Sequence, residues 1–303
     1  MSSKNLFAGV HAVLYALFRE DESLDVFAMA RQVDYCVKQG CHGITLLGLA
    51  TEVHKLTFDE RKLLIEHVSR ANKARLPFSV TVPGNSVAEQ VELAKFAQQN
   101  GADWLILQPP MVGSYGADVY LDFFERVANS IDLPVAVQNA PQYLGRALSG
   151  EDIARLRERC SNFVCVKSED AALGVQRIIS LSTGEMHILG GRGALEMTDC
   201  LRAGCEGFVL APDIAPAAVR IFNAWQSGDR ELAEHLYSQA LPAVTFVMQS
   251  LEHLITYGKR IHGALAGEEI HDRAPCLATN DFGLETAGRW ATHLAKIIQP
   301  NNK

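Results

Sequence analysis

The chain has 303 residues, a net charge of -7, 48% hydrophobic and 21% charged residues. These values suit one large α/β barrel or two medium domains with a sizeable core. The acidic balance and the lack of a basic stretch argue against a nucleic-acid binder, and no apolar run approaches the length of a membrane span. The seven cysteines form an odd set with no metal-ligand spacing and no secretory signal, which points to reduced thiols in the cytoplasm.

In chain order, the apolar stretch from Leu6 to Phe18 has the hydropathy of a signal core. It lacks a basic start and a small-residue cleavage site, and it runs directly into Arg19-Glu20-Asp21-Glu22. It therefore predicts a first strand near 10–17. Further strands are predicted near 43–48, 78–83, 104–108, 134–138, 163–167, 186–190 and 207–211. Amphipathic helical stretches separate them at about 25–39, 57–73, 86–100, 117–130, 150–160, 170–181 and 193–203. Gly40-Cys41-His42-Gly43, Gly101-Ala102-Asp103-Trp104 and Gly204-Cys205-Glu206-Gly207 each lead into a short apolar run. Helix, capping glycine, strand is the αβ half of a β/α repeat. Thr57 with Glu60, and Ser149 with Asp152, read as capping boxes.

Eight alternating units predict an α/β fold, a (β/α)8 TIM barrel over residues 1–212. The tail from 213 to 298 reads as helices only, broken at Gly228, Gly258 and Gly267, so residues 213–303 form a C-terminal helical extension. A doubly wound open sheet is the alternative. It calls for a glycine-rich loop after the first strand, where this chain has Phe18-Arg19-Glu20-Asp21.

Lys167 ends the apolar run Phe163-Val164-Cys165-Val166. The C-terminal ends of barrel strands are where such folds keep reactive groups. An ammonium half inside an apolar barrel favours its neutral form, and a neutral amine condenses with ketones to an imine. The alternative is a lysine that snorkels into solvent. Glu169 is two residues further on; if the strand continues, it faces the same way as Lys167 and is placed to act as a general base. Otherwise it opens the next helix and favours that helix dipole.

Several motifs together resemble the dihydrodipicolinate synthase / N-acetylneuraminate lyase superfamily. They are Lys167 on the sixth strand, Gly48-Leu49-Ala50-Thr51-Glu52 with Leu56-Thr57 and Glu60-Arg61, Asn139 with Pro141, Gly190-Gly191, and Gly207-Phe208-Val209. The resemblance runs from about Gly9 to Pro275. It implies a barrel that binds a 2-oxo acid, usually pyruvate, as an imine on Lys167. It also implies lyase chemistry with no metal or organic cofactor, and a homotetramer. Val209 is the implied substrate-facing position of the eighth strand.

The departures from the family pattern narrow the reading. Gln138 stands at the family's relay tyrosine, and Leu49 and Ala50 stand at its two threonines. Met111 occupies the position of the tyrosine that a neighbouring subunit lends, and Tyr143 that of the arginine that holds an aldehyde substrate's carboxylate. Lysine biosynthesis is therefore not expected. A glutamine amide does not titrate, so the proton work falls to Glu169. Val137-Gln138-Asn139-Ala140-Pro141 with Lys167 and Glu169 looks like the branch of 2-keto-3-deoxy sugar acid dehydratases, with Asn139 in place of an aspartate. Dehydration and aldol cleavage both start from the same imine and stay open, as does a hydratase-aldolase that releases pyruvate. A non-catalytic 2-oxo acid binding barrel is the reading from another class.

The expected substrate contacts are Thr51 with the backbone amides of Ala50 and Thr51 for a carboxylate, Asn139 and Tyr143 beside the fifth strand, and Arg192 as a bidentate clamp on a distal group. His11 and Tyr15 face one way on the first strand. His42 and His54 carry no ligand spacing, and no metal site is expected.

Overall fold

The computed structural model describes residues 6–182 and 186–299. Eight parallel strands pair in sequence order: β1 (Gly9–Val13), β2 (Gly43–Leu46), β3 (Phe78–Val82), β4 (Trp104–Leu107), β5 (Val135–Asn139), β6 (Phe163–Ser168), β7 (His187–Gly190) and β8 (Gly207–Leu210). β8 closes on β1, with Gly9 opposite Gly207 and His11 opposite Val209. This is the expected TIM barrel. The strands are short apolar runs because helices cover their outer faces while side chains fill the inside, so both faces are dry.

The helices between strands are α1 (Val26–Lys38), α2 (Phe58–Asn72), α3 (Val87–Gln99), α4 (Ala117–Ala128), α5 (Pro141–Leu144), α6 (Gly150–Arg159), α7 (Ala172–Leu181) and α8 (Met197–Ala203). Both predicted capping boxes form, at Thr57 with Glu60 and at Ser149 with Asp152. Gly40, Gly101 and Gly204 all have positive φ, as helix-ending glycines should. After β8 come α9 (Ala215–Gln226), α10 (Arg230–Val247), α11 (Leu251–His253), a π-helical turn at Leu254–Gly258, α12 (Lys259–Ala266) and α13 (Asp281–Ile298).

Three expectations are corrected. The first strand stops at Val13 rather than near residue 17. The chain leaves the strand there but stays buried, with the Tyr15 N–H bonded to the Gln32 side chain at 2.9 Å. Gly258 does not break a helix: it sits in the π-turn and runs on into α12. The tail is not helical throughout either. Residues 268–280 carry no helix and are tied to the barrel by Arg273, which donates to Glu60 at 2.7 and 3.0 Å and to the Glu22 carbonyl at 2.6 Å.

Strand register decides what fills the barrel. Val13 pairs with Thr45, Thr45 with Ser79, and Ser79 with Trp104. The floor is aromatic, with Trp104 edge-on to both Phe7 and His11 at 5.2 and 5.6 Å between ring centres. Above the floor the interior turns polar. Thr45 and Ser79 share a hydrogen bond of 2.8 Å, and Gln138 lies opposite Lys167. That polar storey opens at the C-terminal ends of the strands.

Candidate active site

Lys167 is the fifth residue of β6 and is buried, with only 4% of its surface exposed. Its Nζ is 2.8 Å from Glu169 Oε1. Glu169 follows the strand end, but its N–H still bonds to the Asn139 carbonyl at 2.9 Å, so the pleat continues and both side chains face inward. Helix α7 begins only at Ala172, so Glu169 is not a helix-start residue. Gly191 leaves room for it: a Cβ there would lie 2.6 Å from Glu169 Cγ.

Gln138 donates to the same Glu169 oxygen at 2.5 Å, and its own carbonyl accepts from Gln108 at 2.8 Å. All four side chains are buried. The carboxylate thus accepts from an ammonium and an amide in a region of low polarity, where such contacts are strong and their geometry is fixed. Sequence reading missed Gln108. The signal was present: it is the polar residue after β4, level with Gln138 after β4 and β5 pair as far as Leu107 and Val137.

The cleft above this cluster has an empty volume of about 490 Å³ and is lined by Lys167, Glu169, Ala50, Tyr143, Arg192 and Val209, among others. Tyr143 projects from α5. Burial, and then the Glu169 carboxylate, push its phenol upward, while Arg192 opposes them. The Arg192 guanidinium holds Glu196 at 2.6 Å, and its buried Nε has no protein partner among the described residues. Arg192, Gly193 and Ala194 all have positive φ, between 54° and 69°, an unfavourable run for side-chain-bearing residues. Met248, Leu251 and Leu254 supply an apolar wall from the tail. No strand-end pattern announced these.

Two expected contacts are spent elsewhere. The Thr51 hydroxyl donates to the Leu14 carbonyl at 2.7 Å and its N–H to the Gly48 carbonyl at 3.0 Å, so neither is left for a ligand. Asn139 uses its amide on the backbone of Leu148, donating at 3.1 Å and accepting at 2.8 Å, and shapes the loop after β5. Ala50 does line the cleft, in the first turn of a 3-10 segment (Leu49–Thr51), where N–H groups have no partner within the turn. Among the described residues, no group of three or more His, Cys, Asp or Glu side chains could hold a metal ion, and no helix is long and apolar enough to cross a membrane.

Residues 6–277 match the Dihydrodipicolinate synthetase family. The chain belongs to that family. A 4-hydroxy-tetrahydrodipicolinate synthase of Methanothrix thermoacetophila is 30% identical over 243 residues, which are 79% of this chain and 81% of the relative. The "Probable 2-dehydro-3-deoxy-D-pentonate aldolase YjhH" of Escherichia coli K12 is 26% identical over 264 residues, 85% of this chain and 88% of the relative. The solved structure of YagE, a prophage protein of the dihydrodipicolinic acid synthase family from E. coli K12 in complex with pyruvate, superposes with a TM-score of 0.88 at 23% identity, covering 96% of this chain and 99% of that one. The chain is thus a member of a lyase family whose relatives carry more than one activity name.

Within this dihydrodipicolinate synthetase family member, the loop after β2 is held by buried charge. Glu52, itself left-handed at φ 55°, takes Lys55 at 2.6 Å and the fully buried Lys259 of α12. Burial pushes the Lys259 ammonium down while Glu52 opposes this. Removing Glu52 strands the fully buried Lys259 ammonium, whereas Lys259→Met would leave Glu52 paired with Lys55. Glu52→Gln is expected to lower unfolding free energy by about 3 kcal/mol, read by denaturant titration; a change below 1 kcal/mol would contradict the brace.

Just past the C-terminal end of β8, Asp213 accepts from the Tyr15 hydroxyl at 2.9 Å. Burial raises its carboxyl from 3.8 to about 6, against hydrogen bonds from Tyr15 and from backbone N–H groups. Because the folded value is the higher one, the folded state binds the extra proton, and stability falls as pH rises from about 4 to 6. Asp213→Asn is therefore expected to match the parent near pH 4 and exceed it by about 3 kcal/mol above pH 7. Thermal melts across pH check this; a pH-independent difference would contradict it.

Proposed function

We propose that this protein is a Schiff-base lyase acting on a 2-oxo acid, a dehydratase or aldolase of a 2-keto-3-deoxy sugar acid. The observation that carries the reading is the buried contact of Lys167 with Glu169 at the mouth of the barrel, with Gln138 on the same carboxylate oxygen. Lys167 passes a proton to Glu169, its neutral Nζ attacks the C2 ketone, and the carbinol oxygen takes that proton from Glu169 and leaves as water as the protonated imine forms. The protonated imine draws electrons from C3, and Glu169 removes a C3 proton to give the enamine. In dehydration the enamine expels the C4 hydroxyl, which takes the proton held by Glu169 and departs as water. In aldol cleavage, Glu169 instead takes the C4 hydroxyl proton as the C3–C4 bond breaks, releasing an aldehyde and leaving the enamine of pyruvate. After cleavage Glu169 returns its proton to C3 of the enamine, and in both branches hydrolysis of the imine then frees Lys167.

The substrate carboxylate is assigned to the turn at Ala50. Tyr143 and Arg192, at the outer rim, are assigned to its distal hydroxyls or second charge, with Val209 as the opposing wall. The Arg192 Nε without a protein partner supports this role. A 4-hydroxy-tetrahydrodipicolinate synthase is disfavoured by Gln138, Met111 and Tyr143, which replace the hydroxyls and the anion anchor that the family pattern supplies. The apolar wall of Leu49, Met248, Leu251 and Leu254 favours, as a second reading, a hydratase-aldolase that takes a bulkier pyruvate conjugate. We assign a homotetramer on the family resemblance, and the cytoplasm on the odd set of seven cysteines. Exposed Met111 and Val112 beside the cleft supply apolar surface for a subunit contact.

A panel of 2-keto-3-deoxy pentonates and hexonates, with aromatic pyruvate conjugates, read by NMR of the products, tests this. One sugar acid is expected to turn over, and Glu169→Gln to lower its kcat by roughly 10²-fold or more. No turnover of any of them, or a Glu169→Gln variant of parental rate, would contradict the assignment.

A further inference from the structure

Gln108 takes no part in the mechanism above, yet it is fully buried and its side chain ends against Gln138. Its position is anchored. The Gln108 N–H bonds to the Val82 carbonyl at 3.2 Å, and its own carbonyl accepts from the Gln90 amide at 2.8 Å. The side-chain atoms have one reading by donor and acceptor count. An ionised Glu169 only accepts, so Gln138 must turn its NH2 toward it. The Gln138 carbonyl then faces Gln108, which must in turn present its NH2. That leaves Gln108 Oε1 buried with no partner, an arrangement that native interiors rarely tolerate without a compensating role.

The unpartnered oxygen gives the two amides a second register. When Glu169 holds a proton, its O–H can donate to the Gln138 carbonyl. Gln138 then turns its NH2 back toward Gln108, which turns its own amide in step so that the free Oε1 accepts. Each register suits one protonation state of Glu169, and neither moves a proton along the amides.

We propose that Gln108 is a positioning residue for proton transfer at C3. It sets which end of the Gln138 amide meets Glu169, and with Gln138 it forms a two-register pair that serves both states of the base. The proposal rests on Glu169 acting on a lysine imine, as argued above. It adds a residue from just past β4 to a site that otherwise draws on β1, β2, β5 to β8 and the tail.

The test uses the full chain with pyruvate, whose Lys167 imine would lose a methyl proton to Glu169 and regain a deuteron from solvent D2O. The exchange rate is followed by NMR against pD for the parent, Gln108→Met and Gln108→Asn. Methionine fills the space without polarity, and asparagine keeps the amide but falls short of Gln138. Borohydride trapping of each protein with pyruvate runs in parallel. Trapping is expected in all three. In both variants the ascending limb of the exchange profile is expected to move up by about one pH unit, with about tenfold slower exchange on that limb.

Unshifted limbs, or a uniform loss of rate at every pD, would overturn the positioning role and leave Gln108 as packing. If Gln108→Met does not fold, Gln108→Asn alone decides. Failure of the parent itself to trap pyruvate or any longer 2-oxo acid would instead overturn the imine reading.

Discussion

A carboxylate and an ammonium 2.8 Å apart inside a barrel set the terms for the rest of this molecule. Removing two charges from water costs several kcal/mol each, and mutual attraction offsets that only where the geometry is good and further hydrogen bonds are present. The barrel meets both conditions. Parallel register brings Gln138 level with Lys167, continued pairing past β6 turns Glu169 inward, and Gly191 leaves it space. The aromatic floor of Phe7, His11 and Trp104 keeps the pair dry from below. A purely structural core would be at least as stable with apolar residues in these places, so the buried pair is not accounted for by stability, and this supports the chemistry proposed at the Lys167 amine.

The loops around the pair show the same division of labour. Thr51, Asn139 and Glu52 are polar residues at the mouth whose hydrogen-bonding capacity goes to the scaffold: to Leu14, to Leu148, and to Lys55 with Lys259. Ala50, Tyr143 and Arg192 instead line the cleft. The three successive positive-φ residues at Arg192, Gly193 and Ala194 store strain where the guanidinium is presented, a cost that active sites commonly carry.

Much of the fold could be read from residue order. Strand length, helix periodicity, capping boxes and the glycines before β2, β4 and β8 are local properties, and local rules hold where tertiary structure agrees with them. The errors fell where it does not. Apolar residues 14–17 continue the pattern of β1, but they pack beyond the strand end, where Gln32 takes the backbone N–H of Tyr15. Gly258 should end a helix by propensity, yet an added Cβ would come within 2.5 Å of the Tyr15 hydroxyl. Close approach, not helix termination, explains that glycine.

For the site, strand alternation puts Glu169 beside Lys167, because a period of two is fixed by the backbone, and the family resemblance adds Gln138. Gln108, Lys259 and the Met248–Leu251–Leu254 wall were not found. Each depends on contacts across long sequence separations, such as the 207 residues between Glu52 and Lys259. A threonine beside a turn is chemically able to bind an anion, which is why residue order points to Thr51 as a ligand contact. Its hydroxyl had a nearer acceptor, which only the folded chain reveals.

The measurement that bears most directly on this account is borohydride reduction in the presence of pyruvate, with intact mass and peptide mapping of the adduct. The account predicts a single pyruvyl-sized addition located at Lys167, lost in Lys167→Met. An adduct at another lysine, or no adduct with pyruvate or any longer 2-oxo acid, would contradict it.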